Sequence, residues 1–255
     1  MITYTALGKN GRLGNQMFQY ATLFSVCFLR GQTPGIPREG HQLFDTFKLE
    51  NADTLLDNQK FDYKYDEPDF SFSPNVFLAP DGTDLHGYFQ SPHYFRHCAK
   101  ALRKEFIFHD EIVEKARHQM QVFENEHVCS LHVRRGDYLN LSDYHTNLSS
   151  DYYQNAVNTI IGNFQDAKFL IFSDDIEWCK KTFVDNRISY AEIGDDAVEM
   201  CMMSMCNSHI IANSSFSWRG AWLSASNAVI APKQWFSKKG PKDWSSIYEQ
   251  GWAII

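Results

Sequence analysis

Four short stretches of this 255-residue chain combine residue types able to hold an anionic ligand. The first is His132-Val133-Arg134-Arg135-Gly136-Asp137-Tyr138, directly after a β-rich run. Two guanidiniums at a strand end are planar donors that suit the oxygens of a diphosphate. Strand alternation sets His132 and Arg134 on one face and Arg135 on the other. The plain alternative is an arginine pair salt-bridged to Asp137 at a turn, an arrangement that surface charges adopt without function.

The second stretch, Phe172-Ser173-Asp174-Asp175, also follows a strand and opens a helix. Its carboxylates suit ribose hydroxyls or a guanine edge, and they suit a divalent metal; Ser173 or Asp174 also suits a simple helix cap. No third oxygen ligand stands at useful spacing, so no metal is expected. The third runs from Asn213 to Trp222, NSSFSWRGAW, and gives the stronger anion signal. A hydroxyl-rich turn at a helix start offers N–H groups, hydroxyl donors and the positive end of the helix dipole. Trp218 and Trp222, four apart, also fit an ordinary core stripe. The fourth, Gly8 to Gln16, places glycines at every third position. It has neither the GxGxxG spacing of a dinucleotide site nor the GK[ST] ending of a P-loop, so hydride transfer and ATP hydrolysis lose support.

Positioning these stretches takes an α/β frame. From Cys129 onward, β-rich runs at 129–133, 168–172, 188–193, 208–212 and 228–231 alternate with helical periodicity at about 150–164, 176–183, 196–206 and 216–226. That alternation predicts a Rossmann-like parallel sheet with crossover helices. Earlier, Met1 to Leu7 reads as a strand, the glycine turn follows, and Met17, Phe18, Ala21, Phe24 and Phe28 predict a helix from about Gln16 to Leu29, stopped by Gly31. The segment 31–84 is rich in proline and glycine, and its strands cannot be placed. A helix over 110–123 leads into the second half, which suggests a domain boundary near residue 110. The expected fold is GT-B-like, two Rossmann-like halves facing each other across a cleft, with ligands at the carboxyl ends of the strands.

Composition narrows the classes. With 44% hydrophobic and 22% charged residues the chain is a folded globular protein. Its net charge of -7 argues against nucleic acid and anionic lipid as general partners. Cys27, Cys98, Cys129, Cys179, Cys201 and Cys206 lie scattered in apolar segments without metal or disulfide spacing and read as reduced core residues. No apolar run is long enough to cross a bilayer and no signal peptide is recognised. The N-x-S/T triplets at Asn140, Asn147 and Asn213 are expected to be chance matches.

GRLGNQMFQYA, GYFQSPHYF, HVRRGDYL, FLIFSDD and NSSFSWRGAWLS, spread in this order over residues 8 to about 226, resemble glycosyltransferase family 11, the α-1,2-fucosyltransferases. The HxRRxD element is also similar to one in α-1,6- and protein O-fucosyltransferases. The resemblance implies a GDP-β-L-fucose donor, inverting transfer to a sugar 2-hydroxyl, and no metal or other cofactor. It implies an acceptor-side domain at 1–110 and a GDP-fucose-binding domain at 111–255. Carried over, Arg134 meets the β-phosphate with His132 beside it, Asp174 contacts guanosine, and Ser214, Ser215, Phe216 and Ser217 surround the phosphates. Arg12 and Asn15 face the sugar from the other domain. Asp143 to Ser150, DYHTNLSS, departs from the family pattern, and 31–84 is short. A cytoplasmic enzyme of bacterial or viral origin is implied, with a soluble or lipid-linked glycan as partner; peripheral membrane contact through such an acceptor and the oligomeric state stay open.

Leaving-group stabilisation by Arg134 and the serine turn would drive such a transfer. Asp137, His145 and His86 are candidates by type for the base, Asp137 first because it adjoins the phosphate motif. Other readings are a transferase using GDP-mannose or a UDP-sugar, and a non-catalytic glycan- or nucleotide-binding module.

Overall fold

The computed structural model describes residues 1–55 and 61–255. It divides into two compact units, Met1–His109 with Asp243–Tyr248, and Asp110–Lys242 with Glu249–Ile255. The chain thus returns to the first unit for six residues near its end, which an uninterrupted second domain from 111 to 255 does not include. Within the first unit Ser246 fixes this return: its Oγ accepts from the Phe72 N–H at 3.0 Å and its carbonyl accepts from Ser91 Oγ at 2.7 Å.

The first unit is built around α1 (Leu13–Phe28), whose residues from Leu13 to Cys27 are all buried except Asn15. A helix buried on every face is a core element, and its polar residues find partners: Gln19 donates to the Asn10 carbonyl and Ser25 to that of Tyr94. The helix begins at Leu13, three residues before the expected Gln16, so Gly14 and Asn15 belong to its first turn. Short elements follow: β1 (Gly35–Ile36), α2 (Leu43–Thr46), β2 (Asp53–Thr54), β3 (Tyr63–Asp66), β4 (Thr83–His86) and α3 (Ala99–Glu105). Strand β1 pairs with β2, and β3 with β4, both in parallel. The expected strand Met1–Leu7 is reduced to Thr3, which bridges Gly35 on one side and Asp84 on the other. Beyond it the chain curls, with Leu7 N–H on the Tyr4 carbonyl and Lys9 N–H on that of Ala6.

The second unit is a doubly wound Rossmann-like sheet. It contains α4 (Asp110–Met120), β5 (Val128–Val133), α5 (Ser150–Asn163), β6 (Lys168–Ser173), α6 (Ile176–Thr182), β7 (Ile188–Tyr190), α7 (Asp196–Ser204), β8 (Ser208–Ile210), α8 (Ser215–Ser224), β9 (Val229–Ala231) and β10 (Ala253–Ile254). The strands are all parallel in the order β10-β9-β8-β5-β6-β7. Every residue of β5 is buried, as a central strand covered on both faces requires. Cys129, Leu131 and Val133 pack with Tyr153, Ala156 and Ile160 of α5 and Cys179 of α6. The alternate residues turn to the other face, where His132 meets Ser217 of α8 and Ser130 meets His209. Ser149 caps α5 by accepting from the Tyr152 N–H, one residue before the expected Ser150. All six cysteines are free and buried.

Candidate active site

A parallel sheet leaves a crevice at the carboxyl ends of its strands where the strand order reverses. Here the chain runs outward through β6 and β7 on one side of β5 and through β8, β9 and β10 on the other, so the reversal lies between β5 and β8. His132 is the fifth of the six residues of β5, and the serine turn follows β8.

Those two motifs meet. His132 is 5% exposed, and its Nδ1 lies 2.9 Å from Ser217 Oγ. Phe216 tilts against the imidazole with ring centroids 5.7 Å apart. Ser214 caps α8 by accepting from the Phe216 N–H. The 10-residue helix thus presents its N-terminal turn, carrying Ser214, Ser215, Phe216 and Ser217, beside the end of β5. Asn213, which leads into the turn, is buried and donates to the carbonyls of Thr146 and Trp235 at 2.9 and 2.8 Å. Trp218 and Trp222 are core residues, both buried, with the wholly buried Arg219 guanidinium 5.1 and 5.4 Å from their ring centroids.

Arg134 stands just past β5 with its fork already engaged. Its Nη1 lies 2.9 Å from Asp174 Oδ2 and its Nη2 2.6 Å from Asp137 Oδ1. The guanidinium carbon is 5.3 Å from the Tyr138 ring centroid, and the Tyr138 hydroxyl donates to the Asn213 carbonyl, linking the arginine to the serine turn. Arg135 goes to the α6 side, as alternation predicts: its Nε lies 3.2 Å from Asp175 Oδ2 and its guanidinium carbon 4.1 Å from the Trp178 ring centroid. Asp137 is therefore the partner of Arg134, not of Arg135, because the turn after Val133 folds its carboxylate back over the first arginine. Gly136 permits the packing: a Cβ there would stand 2.5 Å from Asp174 Oδ2.

The aspartate pair divides its work. Asp174 Oδ1 accepts from the Arg135 N–H at 2.9 Å, and its other oxygen faces Arg134. The cap of α6 is Asp175, whose Oδ1 accepts from the Trp178 N–H, rather than Ser173 or Asp174. Among the described residues no group of three or more His, Cys, Asp or Glu could hold a metal ion.

In the first unit, Arg12 occupies the N-cap position of α1, is exposed, and takes part in no ion pair among the described residues. Asn15 Oδ1 accepts from Gln90 Nε2 at 2.7 Å. Gly11, at φ +93°, takes a conformation open to glycine, and a Cβ there would stand 2.1 Å from Asn15 Nδ2. Gln90, Tyr138 and Trp178 carried no role in the sequence reading. Gln90 lay inside the GYFQ motif, and Trp178 three residues beyond Asp175 had the spacing of a helix first turn.

The model of glycosyl transferase family 11 matches residues 2–255. The chain belongs to glycosyl transferase family 11. Among members and relatives, it is 38% identical over 125 residues to the O-antigen biosynthesis glycosyltransferase WbnK of Escherichia coli, covering 46% of this chain and 41% of that protein. It is 29% identical to an α-1,2-colitosyltransferase of Escherichia coli, over 90% of this chain and 91% of that one. It is 26% identical to human galactoside α-(1,2)-fucosyltransferase 1, over 86% of this chain and 65% of that one. In structure, it resembles the Bradyrhizobium fucosyltransferase NodZ, an α-1,6-fucosyltransferase soaked with GDP-fucose, at a TM-score of 0.56 and 12% identity over 87% of this chain and 91% of that one. That likeness bears on the family 11 chain's fold. Among its described residues no helix is long and apolar enough to cross a membrane.

Proposed function

We propose that this family 11 chain is an inverting, metal-independent glycosyltransferase that moves L-fucose from GDP-β-L-fucose to the 2-hydroxyl of a galactosyl acceptor. The observation that carries the reading is the meeting of His132 with Ser217 at the point where the strand order reverses, with Arg134 just beyond. Strand ends, a helix N-terminus and a fixed guanidinium are what a nucleoside diphosphate leaving group requires. The shared α-1,2 linkage in the names of the colitosyl and fucosyl relatives supports transfer to a 2-hydroxyl.

In this reading Arg134 carries the β-phosphate, and the entering phosphate exchanges with Asp137, whose side chain is 56% exposed, while the more buried Asp174 keeps the guanidinium aligned. Asp174 has lone pairs left for a guanosine contact. The α8 turn supplies N–H groups and hydroxyls to the diphosphate. Charge builds on the departing GDP as the anomeric carbon takes oxocarbenium character, and these donors are already in place. Arg12 and Asn15 serve the sugar. In this reading the enzyme is cytoplasmic and of bacterial or viral origin.

A nucleotide panel followed by thermal shift tests the donor. Saturating GDP at about a hundredfold its Kd should stabilise the protein by about 2.7 kcal/mol, with UDP giving no shift. Stabilisation by UDP alone would replace the reading with a UDP-sugar transferase, and by glycan alone with a binding module. Because one relative is named for colitosyl transfer, nucleotide-activated colitose belongs beside GDP-fucose in the turnover assay.

A further inference from the structure

Tyr138 stands where the arginine pair, the serine turn and the segment 143–150 come together within the second unit, and the donor chemistry above gives it no task. It lies in the single 3-10 turn Asp137–Leu139. Leu139 and Leu141 beside it are 45% and 48% exposed, so this turn adds little to the core. The Tyr138 ring is nevertheless fixed. Its hydroxyl donates to the Asn213 carbonyl at 3.1 Å, and His145, a base candidate by residue type, lies flat on the ring, with centroids 4.0 Å apart and planes 6° from parallel. The Arg134 guanidinium carbon stands 5.3 Å from the centroid of the same ring.

The brace behind Tyr138 comes from the segment that departs from the family pattern. His145 bridges Phe236 in antiparallel fashion, and the two rings pack with centroids 5.8 Å apart. Ser237 locks the pair, its N–H donating to the Tyr144 carbonyl at 2.9 Å and its Oγ to the His145 carbonyl at 3.2 Å. Gly240 allows the close approach: a Cβ there would stand 2.7 Å from the Tyr144 carbonyl oxygen. Asn147 Nδ2 donates to the Tyr138 carbonyl at 3.4 Å. Burial holds His145 below the ordinary histidine range against the pull of Asp137, so at neutral pH the imidazole is uncharged and does not repel the Arg134 guanidinium.

Arg134 needs such a support. When a phosphate takes the place of the exposed Asp137, the guanidinium keeps Asp174 on one nitrogen, and a long side chain held at one end can still pivot. A rigid ring against the guanidinium removes that freedom before the ligand arrives, and so lowers the ordering cost of binding. We propose that Tyr138 is a positioning residue of the donor site, holding Arg134 in the orientation that receives the diphosphate and itself held by His145 and the Asn213 carbonyl. This rests on the GDP-donor reading.

The test measures GDP affinity, kcat/KM for GDP-fucose and melting temperature in the wild type, Tyr138→Leu, Tyr138→Phe, His145→Ala, Arg134→Ala and the doubles of Tyr138→Leu and His145→Ala with Arg134→Ala. Tyr138→Leu should weaken GDP binding roughly three- to tenfold, the size of a lost cation–ring contact, with kcat/KM falling at least as much. Tyr138→Phe, which keeps the ring, should recover most of that loss, and His145→Ala should lose about twofold or more. In the Arg134→Ala background both Tyr138→Leu and His145→Ala should change GDP affinity by less than about twofold, because a residue that acts through Arg134 has nothing left to act on. A general structural role would lower affinity by the same factor in either background, and that result overturns the assignment. So does a folded Tyr138→Leu protein within about twofold of the wild type; should that variant not fold, the His145→Ala cycle decides by the same criterion. A wild type that binds no GDP overturns the donor reading and this assignment together, whereas one that binds GDP and moves no fucose overturns the reaction alone, with the cycles in GDP affinity still deciding the role of Tyr138.

Discussion

Ser217 Oγ lies 2.9 Å from Nδ1 of His132, joining the end of β5 to the first turn of α8 across 85 positions of sequence. Both groups are buried, so the contact fixes the imidazole at the mouth of the sheet beside the helix N-terminus. It is the joint on which the proposed donor site depends, and Arg134 follows two residues after His132.

Arg134 and Arg135 should separate in their effects. Arg134→Ala removes a charge-assisted fork at the leaving group and should cost on the order of 3 kcal/mol in the transition state, roughly a hundredfold in kcat/KM. Lysine should not rescue it, because a point charge cannot reproduce the planar fork. Arg135→Ala loses the Asp175 pair and the Trp178 stack, so it should lower the melting temperature while a folded fraction keeps more activity. Should Arg135→Ala be the less active of two equally folded proteins, the roles are reversed.

Arg12→Ala and Asn15→Ala should reduce transfer more than GDP affinity. Both residues belong to the first unit, and Asn15 is held by Gln90 rather than by anything in the donor motifs. Equal losses in kcat/KM and in GDP binding would move this turn into the nucleotide site.

Turnover should survive chelation. Asp174 and Asp175 each give both oxygens to protein donors, Arg134 and the Arg135 N–H for one, Arg135 Nε and the Trp178 N–H for the other. EDTA that abolishes activity, with recovery on Mn²⁺, would contradict this; mild stimulation by Mg²⁺ would not, since the ion helps a diphosphate leave.

Acid stability should depend on His209. Burial pushes this histidine down to about 3, between Ser130 and Ser224 hydroxyls each 2.7 Å from a ring nitrogen. The unfolded chain takes up the proton near pH 6.5 and the folded one does not, so stability is full above that pH and is lost as pH falls toward 3. At pH 5 the loss is about 2 kcal/mol relative to neutral pH. Denaturant titrations at pH 7 and pH 5 should give His209→Gln a smaller drop than the wild type; equal drops would assign the acid sensitivity elsewhere.

The second unit was legible because its strands are compact β-rich runs, as in the apolar Phe169 to Phe172, between amphipathic helices. Its ends were less so. Ser149 rather than Ser150, and Asp175 rather than Ser173 or Asp174, cap their helices, since neighbouring residues of similar type compete for one N–H. The first unit resisted reading because its paired strands are two to four residues long, too short for periodicity to register. Met1 to Leu7 has strand composition, yet only Thr3 finds partners on both sides. At the site, motif residues were recognisable by type, but the pairing of Asp137 with Arg134 depends on how the turn after Val133 folds. The stack of His145 on Tyr138 is local in sequence, while the bond from Tyr138 to Asn213 spans 75 positions.

The most direct measurement incubates the purified protein with GDP-β-L-fucose and a β-galactoside, without added metal, and determines the product linkage by NMR. The account predicts release of GDP with one new α-L-fucosyl residue on the galactose 2-hydroxyl, the anomeric configuration inverted. A product linked through another hydroxyl, retention of the β configuration, or transfer from UDP-sugars with none from GDP-fucose would contradict it.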